Sequence, residues 1–94
     1  MSSNIYYVYI ETNKIHTVFY TGMTNDLGLR HYQHKNKINN SFTSKYNINK
    51  LIYYEMYQDV HDAIVREKQI KDYRREKKID LIKTINPLFT GLID

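Results

Sequence analysis

Residues 5–11 place β-branched and aromatic side chains at most positions, and residues 17–23 repeat that texture after the polar stretch Thr12-Asn13-Lys14. Such runs predict two strands. The short connection between them predicts an antiparallel hairpin. Both strands are apolar on both sides, so a sheet covered on both faces is expected. Thr24-Asn25-Asp26 then supplies small polar caps and an acid for the first turn of a helix over residues 26–37. Leu27, Arg30, His31 and His34 recur at helical spacing on one side of it. Asn39-Asn40-Ser41 is read as its end, and residues 42–49 as an irregular loop.

Residues 50–57 read as a third strand. Asp59 caps a helix over residues 60–76, with Asp62 three positions on as a variant of the capping box. A short helix is predicted over residues 79–85. Asn86-Pro87 stops it, because proline disfavours the helical conformation in the residue before it. Residues 88–94 read as a packed tail. The order β-β-α-β-α-α predicts an α+β fold, a three-stranded antiparallel sheet flanked by helices. A chain of 94 residues is expected to form one domain with a small core.

Composition narrows the picture. Without cysteine, neither disulfides nor a cysteine-ligated zinc can stabilise the chain. No apolar run reaches membrane-spanning length. Met1-Ser2-Ser3-Asn4 has none of the charged and apolar pattern of a signal peptide. A cytoplasmic protein with no membrane partner is therefore expected. The net charge of +4 is compatible with a phosphate-rich partner. Residues 26–50 carry five Lys or Arg and one acid, and residues 61–83 carry eight and five, so a phosphate-binding face would come from the middle of the chain and the later helices.

Three groups of residues depart from a purely structural pattern. Glu67 sits between Ile64 and Ile70 on the apolar stripe of the later helix, where a carboxylate needs either a paired cation or a metal. Arg30 and His34 lean toward the sheet with Leu27. An arginine so placed either snorkels, pairs with Glu67 or grips a phosphate. Tyr7 and Tyr9 share one face of the first strand, and Tyr20 and Gly22 one face of the second. A glycine there admits a close approach by a helix or a substrate. Sheet packing is the ordinary role of a tyrosine in such a strand.

In this order the residues resemble the GIY-YIG nuclease superfamily, in particular its small stand-alone bacterial branch. Tyr6-Tyr7-Val8-Tyr9-Ile10 contains the first motif, in degenerate form, with Tyr9 as its tyrosine. Tyr20-Thr21-Gly22 is the second. Asn25-Asp26-Leu27 opens the helix carrying Arg30 and, four residues later, His34. Ala63-Ile64-Val65-Arg66-Glu67-Lys68-Gln69 matches the segment with the superfamily's metal-binding glutamate, and Asn86-Pro87 its end. Three positions depart from the pattern: Met23 stands where lysine or another polar residue is common, Thr90 near the usual closing asparagine, and Gly28 in the first turn of the motif helix, where glycine weakens a helix.

The resemblance implies a metal-dependent endonuclease that hydrolyses phosphodiesters in DNA, in repair or recombination. Glu67 is expected to hold one divalent cation, magnesium or manganese. Arg30 is expected to bind the scissile phosphate, and Tyr9, supported by Tyr20, to serve as base or to position water. His34 stands as an alternative base or phosphate ligand. Lys35, Lys37, Lys45, Arg74, Arg75, Lys77 and Lys78 are candidates for backbone contacts, with ordinary solvated charge the competing reading for each. No appended reader of sequence is evident, so targeting would come from branched or damaged DNA, a protein partner or a homodimer. Two alternatives stay open: a non-catalytic nucleic-acid-binding module on the same fold, and a structural or regulatory protein whose tyrosines only pack the sheet.

Overall fold

The computed structural model describes residues 4–38 and 41–93. Three strands, β1 (Tyr6–Thr12), β2 (Phe19–Thr24) and β3 (Lys50–Tyr57), form an antiparallel sheet in the order β2-β1-β3. The helices are α1 (Leu27–Lys35), α2 (Ser41–Lys45), α3 (Val60–Lys71) and α4 (Arg75–Lys83). The three-stranded antiparallel sheet with flanking helices is the α+β fold the sequence predicts, with one short helix added.

The hairpin is closed by side chains. Asn13 Oδ1 accepts from the backbone of Thr17 at 2.9 Å and of Val18 at 3.2 Å, and the Thr12 hydroxyl donates to the Val18 carbonyl at 2.7 Å. Central strand β1 sends alternate residues to opposite faces. Val8 and Ile10 meet Ile52, Ala63, Ile70 and Ile82, so α3 and α4 cover that face. Tyr9 meets Leu27, so α1 covers the other. The expectation of a sheet buried on both sides holds for this reason.

Local signals explain the helix starts. Asp26 is the N-cap of α1, accepting from Leu29 N at 3.0 Å, rather than an acid inside its first turn. Asp59 caps α3 through His61 N at 2.8 Å. The predicted end of the first helix at Asn39 and Asn40 lies outside the described residues, and α1 itself finishes at Lys35. Ser41 opens α2 instead of ending α1, so residues 42–49 are not wholly irregular.

The two helices predicted over residues 60–76 and 79–85 are both present with shifted bounds, the first ending at Lys71 and the second starting at Arg75. Chain direction changes between Lys71 and Arg75, and Ile82 of α4 then reaches the core. Arg75 secures the new direction by donating to the carbonyls of Thr17 (3.0 Å) and His16 (2.6 Å), with its guanidinium 4.6 Å from the Phe19 ring. Asn86 then fastens the tail: its amide donates to the carbonyls of Ile52 and Thr90, both at 2.8 Å, and Leu92 N bonds the Leu51 carbonyl at 2.8 Å. Thr90 is accordingly a partner of Asn86 and not a displaced site residue.

Candidate active site

The α1-side face of the sheet gathers groups that a hydrophobic core would exclude. Tyr9 is fully buried, and its hydroxyl lies 3.0 Å from His34 Nε2. The Tyr20 ring is 6.3 Å from that of Tyr9 and 5.3 Å from that of His34. Tyr9 pairs in register with Gly22, and a Cβ at Gly22 would stand 2.5 Å from the phenol oxygen and 2.6 Å from Cζ. The close approach that glycine permits is therefore that of the Tyr9 ring. A phenol can lie across the strand only because the neighbour has no side chain.

A second polar pair lies beside the first. Glu11, also fully buried, places Oε2 3.0 Å from His31 Nδ1. Tyr9 and Glu11 are two apart on β1, while their partners His34 and His31 are three apart on α1 in the opposite direction. Helix α1 thus runs antiparallel to β1, held to it by two side-chain bonds. Neither Glu11 nor His31 is among the motif residues that point to the site from the sequence. The available signal was a carboxylate two positions from Tyr9 on the same strand face.

Charge is tuned by burial. Desolvation drives the Tyr9 phenol well above its ordinary value, with Tyr20 adding to the rise, while Arg30 opposes it through its charge and a hydrogen bond. Burial, then Arg30 and His31, lower His34 to about 4, so its imidazole is neutral at physiological pH. Burial pushes the Glu11 carboxyl up to about 8, so its pair with His31 retains a shared proton at neutral pH. His34 Nδ1 and Glu11 Oε1 are buried without hydrogen-bond partners among the described residues.

Tyr9, Tyr20, Arg30 and His34 therefore converge. Glu67 arrives on a different element. It lies on α3 between the buried Ala63 and Ile70, with about a fifth of its side chain exposed, and its ion pair is with Lys71 at 3.4 Å rather than with Arg30. The adjacent Arg66 takes a different acid: Nε and Nη2 both reach Glu55 at 2.9 Å, and Nη1 reaches Tyr73 Oη at 3.1 Å. Tyr53 and Tyr57 also donate to Glu55. Burial works to raise the Glu55 pKa, but hydrogen bonds from Arg66, Tyr53 and Tyr57 outweigh it and hold the carboxyl below its usual range. This network ties α3 to β3 and so fixes the helix that carries Glu67. Its sequence signal was the alternation Tyr53-x-Glu55-x-Tyr57.

Among the described residues no three His, Cys, Asp or Glu stand together as a multi-ligand metal site. The donors suit a divalent cation of another kind. Magnesium commonly takes one or two carboxylates and keeps several waters. Glu67 is such a carboxylate, partly open, and paired with the exposed i,i+4 Lys71.

The basic residues do not form one face. Lys35, Lys37 and Lys45 are exposed on the α1 and α2 side. Arg74 and Lys77 are exposed on the α3 and α4 side, where Lys78 is half-buried. Arg75 is committed to the hairpin carbonyls.

A hairpin tyrosine pair, a glycine beneath the first phenol and an arginine-histidine helix above it define a site of nuclease type on a small α+β fold. The comparisons agree: the family model described as the GIY-YIG catalytic domain matches residues 5–80. The chain belongs to the GIY-YIG family. It is 38% identical over 64 residues to the UPF0213 proteins of Staphylococcus aureus strains Mu3 and Mu50, covering 68% of this chain and 78% of each relative. The solution NMR structure of the UPF0213 protein BH0048 from Bacillus halodurans has the same fold, with a TM-score of 0.59 and 25% identity over 90% of this chain and 89% of that one. Among the described residues no helix is long and apolar enough to cross a membrane.

Proposed function

We propose that this chain is an endonuclease that depends on a divalent metal and hydrolyses phosphodiester bonds in DNA, acting on branched or damaged strands in repair or recombination. The observation that carries this reading is the buried Tyr9–His34 contact at 3.0 Å, with Arg30 close enough to shift both groups. A merely structural phenol needs a hydrogen bond, but it does not need a neutral imidazole and a guanidinium beside it.

Each residue then has a task. Arg30 binds the scissile phosphate and stabilises the charge that develops on it. The attacking water gives its proton to the Tyr9 oxygen as Tyr9 passes its own to His34 Nε2. The water oxygen bonds to phosphorus as the bond from phosphorus to the leaving oxygen breaks; that oxygen keeps the electron pair and takes a proton from solvent, and His34 returns its proton to solvent. A phenol held protonated by burial is suited to such a relay and unsuited to standing as a free phenolate. A phosphate paired with Arg30 removes one of the charges that keep His34 from accepting a proton. The Tyr20 ring stands beside both. Glu67 is the residue that would hold magnesium or manganese, which when bound supplies Lewis-acid stabilisation to phosphate oxygens.

The test is cleavage of plasmid and branched DNA with magnesium or manganese. Glu67→Ala and Arg30→Ala should each abolish or strongly depress cutting while the fold, read by circular dichroism, persists. Cutting by Glu67→Ala at the wild-type rate removes the metal assignment. A wild-type protein that binds DNA but cuts none of these substrates is a binding module instead.

A further inference from the structure

Helix α2 buries the wrong residues for a purely structural segment. Its anchors are Thr43, about 1% exposed, and the following Ile48, fully buried, joined by an Ile48 N to Thr43 O bond of 2.9 Å. Phe42 of the helix and Tyr46 just after it face outward instead: Phe42 is 44% exposed and Tyr46 is 39% exposed. They are four apart, with ring centroids at 4.9 Å. Phe42 in turn lies 6.1 Å from Tyr20, and Tyr20 6.3 Å from Tyr9. An unbroken file of rings thus leads from the buried phenol to the surface.

The segment that carries the exposed rings has charge of one sign. Lys45 Nζ stands 5.4 Å from the Tyr46 ring, and Lys35 and Lys37 are exposed nearby in the chain. No Asp or Glu occurs anywhere in residues 27–54. The complement of flat apolar faces on a basic, acid-free segment is a polyanion that carries flat apolar faces of its own. A single nucleic-acid strand has both, whereas a duplex keeps its base faces stacked inside.

We propose that Phe42 and Tyr46 form a stacking subsite for unpaired DNA bases, with Lys45 on the adjoining phosphate, leading the strand toward Tyr20 and the Tyr9–His34 pair. The subsite deepens the nuclease reading given above and serves it, but base stacking itself requires no metal and no cleavage. Stacking tolerates any base, so the subsite selects an unpaired strand and not a sequence.

The test is fluorescence anisotropy with labelled DNA, in chelator so that no divalent ion is present. Three probes are compared: a single strand, the same strand with abasic sites, and its duplex. The wild-type protein should bind the intact strand more tightly than the abasic one. Replacing both rings, Phe42→Leu with Tyr46→Leu, should weaken intact-strand binding by about tenfold or more. That variant should leave duplex and abasic binding unchanged, and Phe42→Trp should retain tight binding. Both aromatics are on the surface, so the leucine variant folds, as circular dichroism would verify. Equal wild-type affinity for intact and abasic strands overturns the subsite, as does unchanged intact-strand binding by the leucine variant. A cleavage assay with metal on the same variant separates the two ideas, because full cutting there with unaltered strand affinity leaves the nuclease and removes the subsite.

Discussion

One strand supplies both faces of this molecule, and the faces are built by different rules. Val8 and Ile10 of β1 join Ile52, Ala63, Ile70 and Ile82 in an apolar cluster that needs only shape and volume. Tyr9 and Glu11, the alternate residues, enter an equally dry layer with a phenol, a carboxyl and two imidazoles, Tyr9 bonded to His34 and Glu11 to His31. Buried polar groups add little net stability even when satisfied, and cost free energy when left alone. The first face therefore holds the chain together. The second draws on that stability to keep proton-bearing groups out of water.

Changes to the apolar face should have the largest effect on stability and the smallest on chemistry. Ile52→Ala opens a cavity at a fully buried site and is expected to cost about 2–5 kcal/mol. Thermal melts would record the loss, while cutting per folded molecule, measured below the transition, should be unchanged. A stable Ile52→Ala protein with impaired cutting would mean that the faces are not independent. Gly22→Ala is the counterpart on the polar face. Gly22 has no positive φ, so its backbone accepts alanine, and the whole cost is the collision with Tyr9. That overpacking is expected to cost about 1–3 kcal/mol. Cutting should also be lost, because the ring must leave His34. An alanine variant with wild-type stability would show that the phenol has room to move.

The same division explains what was legible in the sequence. Dense β-branched and aromatic residues reveal strands, and β3 appears with the bounds read from its residues, Lys50–Tyr57. Tyr9, Tyr20, Arg30 and His34 were selected as a group by motif resemblance and by shared faces, and the fold does bring them together. Glu11 escaped notice because apolar neighbours disguise it and its partner is twenty residues away on another element. The break between α3 and α4 has no glycine or proline to mark it. It is set by long-range contacts, those of Arg75 with the hairpin and of Ile82 with the core. Helix α2 was missed because it hides a threonine and shows an aromatic, the reverse of the periodicity used to find helices.

Tyr9→Phe narrows the comparison to one oxygen. The ring and its packing remain, and the lost bond to His34 is worth about 1 kcal/mol net, or up to about 3 if the imidazole is left unsatisfied. Cutting should fall far more, by roughly 10²–10⁴-fold, if the phenol relays the proton. A mild effect on both melting and cutting would reduce Tyr9 to a packing residue.

The smallest change tests Glu11, and its signature is a slope. Because burial raises the folded pKa to about 8, the folded state holds a proton that the unfolded carboxyl has released above its ordinary 4.5. The native state then binds more protons, so this group's contribution to stability is complete below 4.5 and declines as pH rises toward 8. His34 acts in the other direction, since its pKa is depressed from 6.5 to about 4, and its contribution is lost as pH falls through that interval. From about one unit above 6.5 up to 8 His34 is neutral in both states and the Glu11 slope stands nearly alone. Denaturant titrations there should show wild-type stability falling by at most about 1.4 kcal/mol per pH unit. Glu11→Gln cannot ionise yet still reaches His31, so its curve over the same interval should be flat. Equal slopes in the two proteins would mean that the carboxyl enters the folded state already ionised, paired with a charged His31, and the dry face would then hold an ion pair in place of a shared proton.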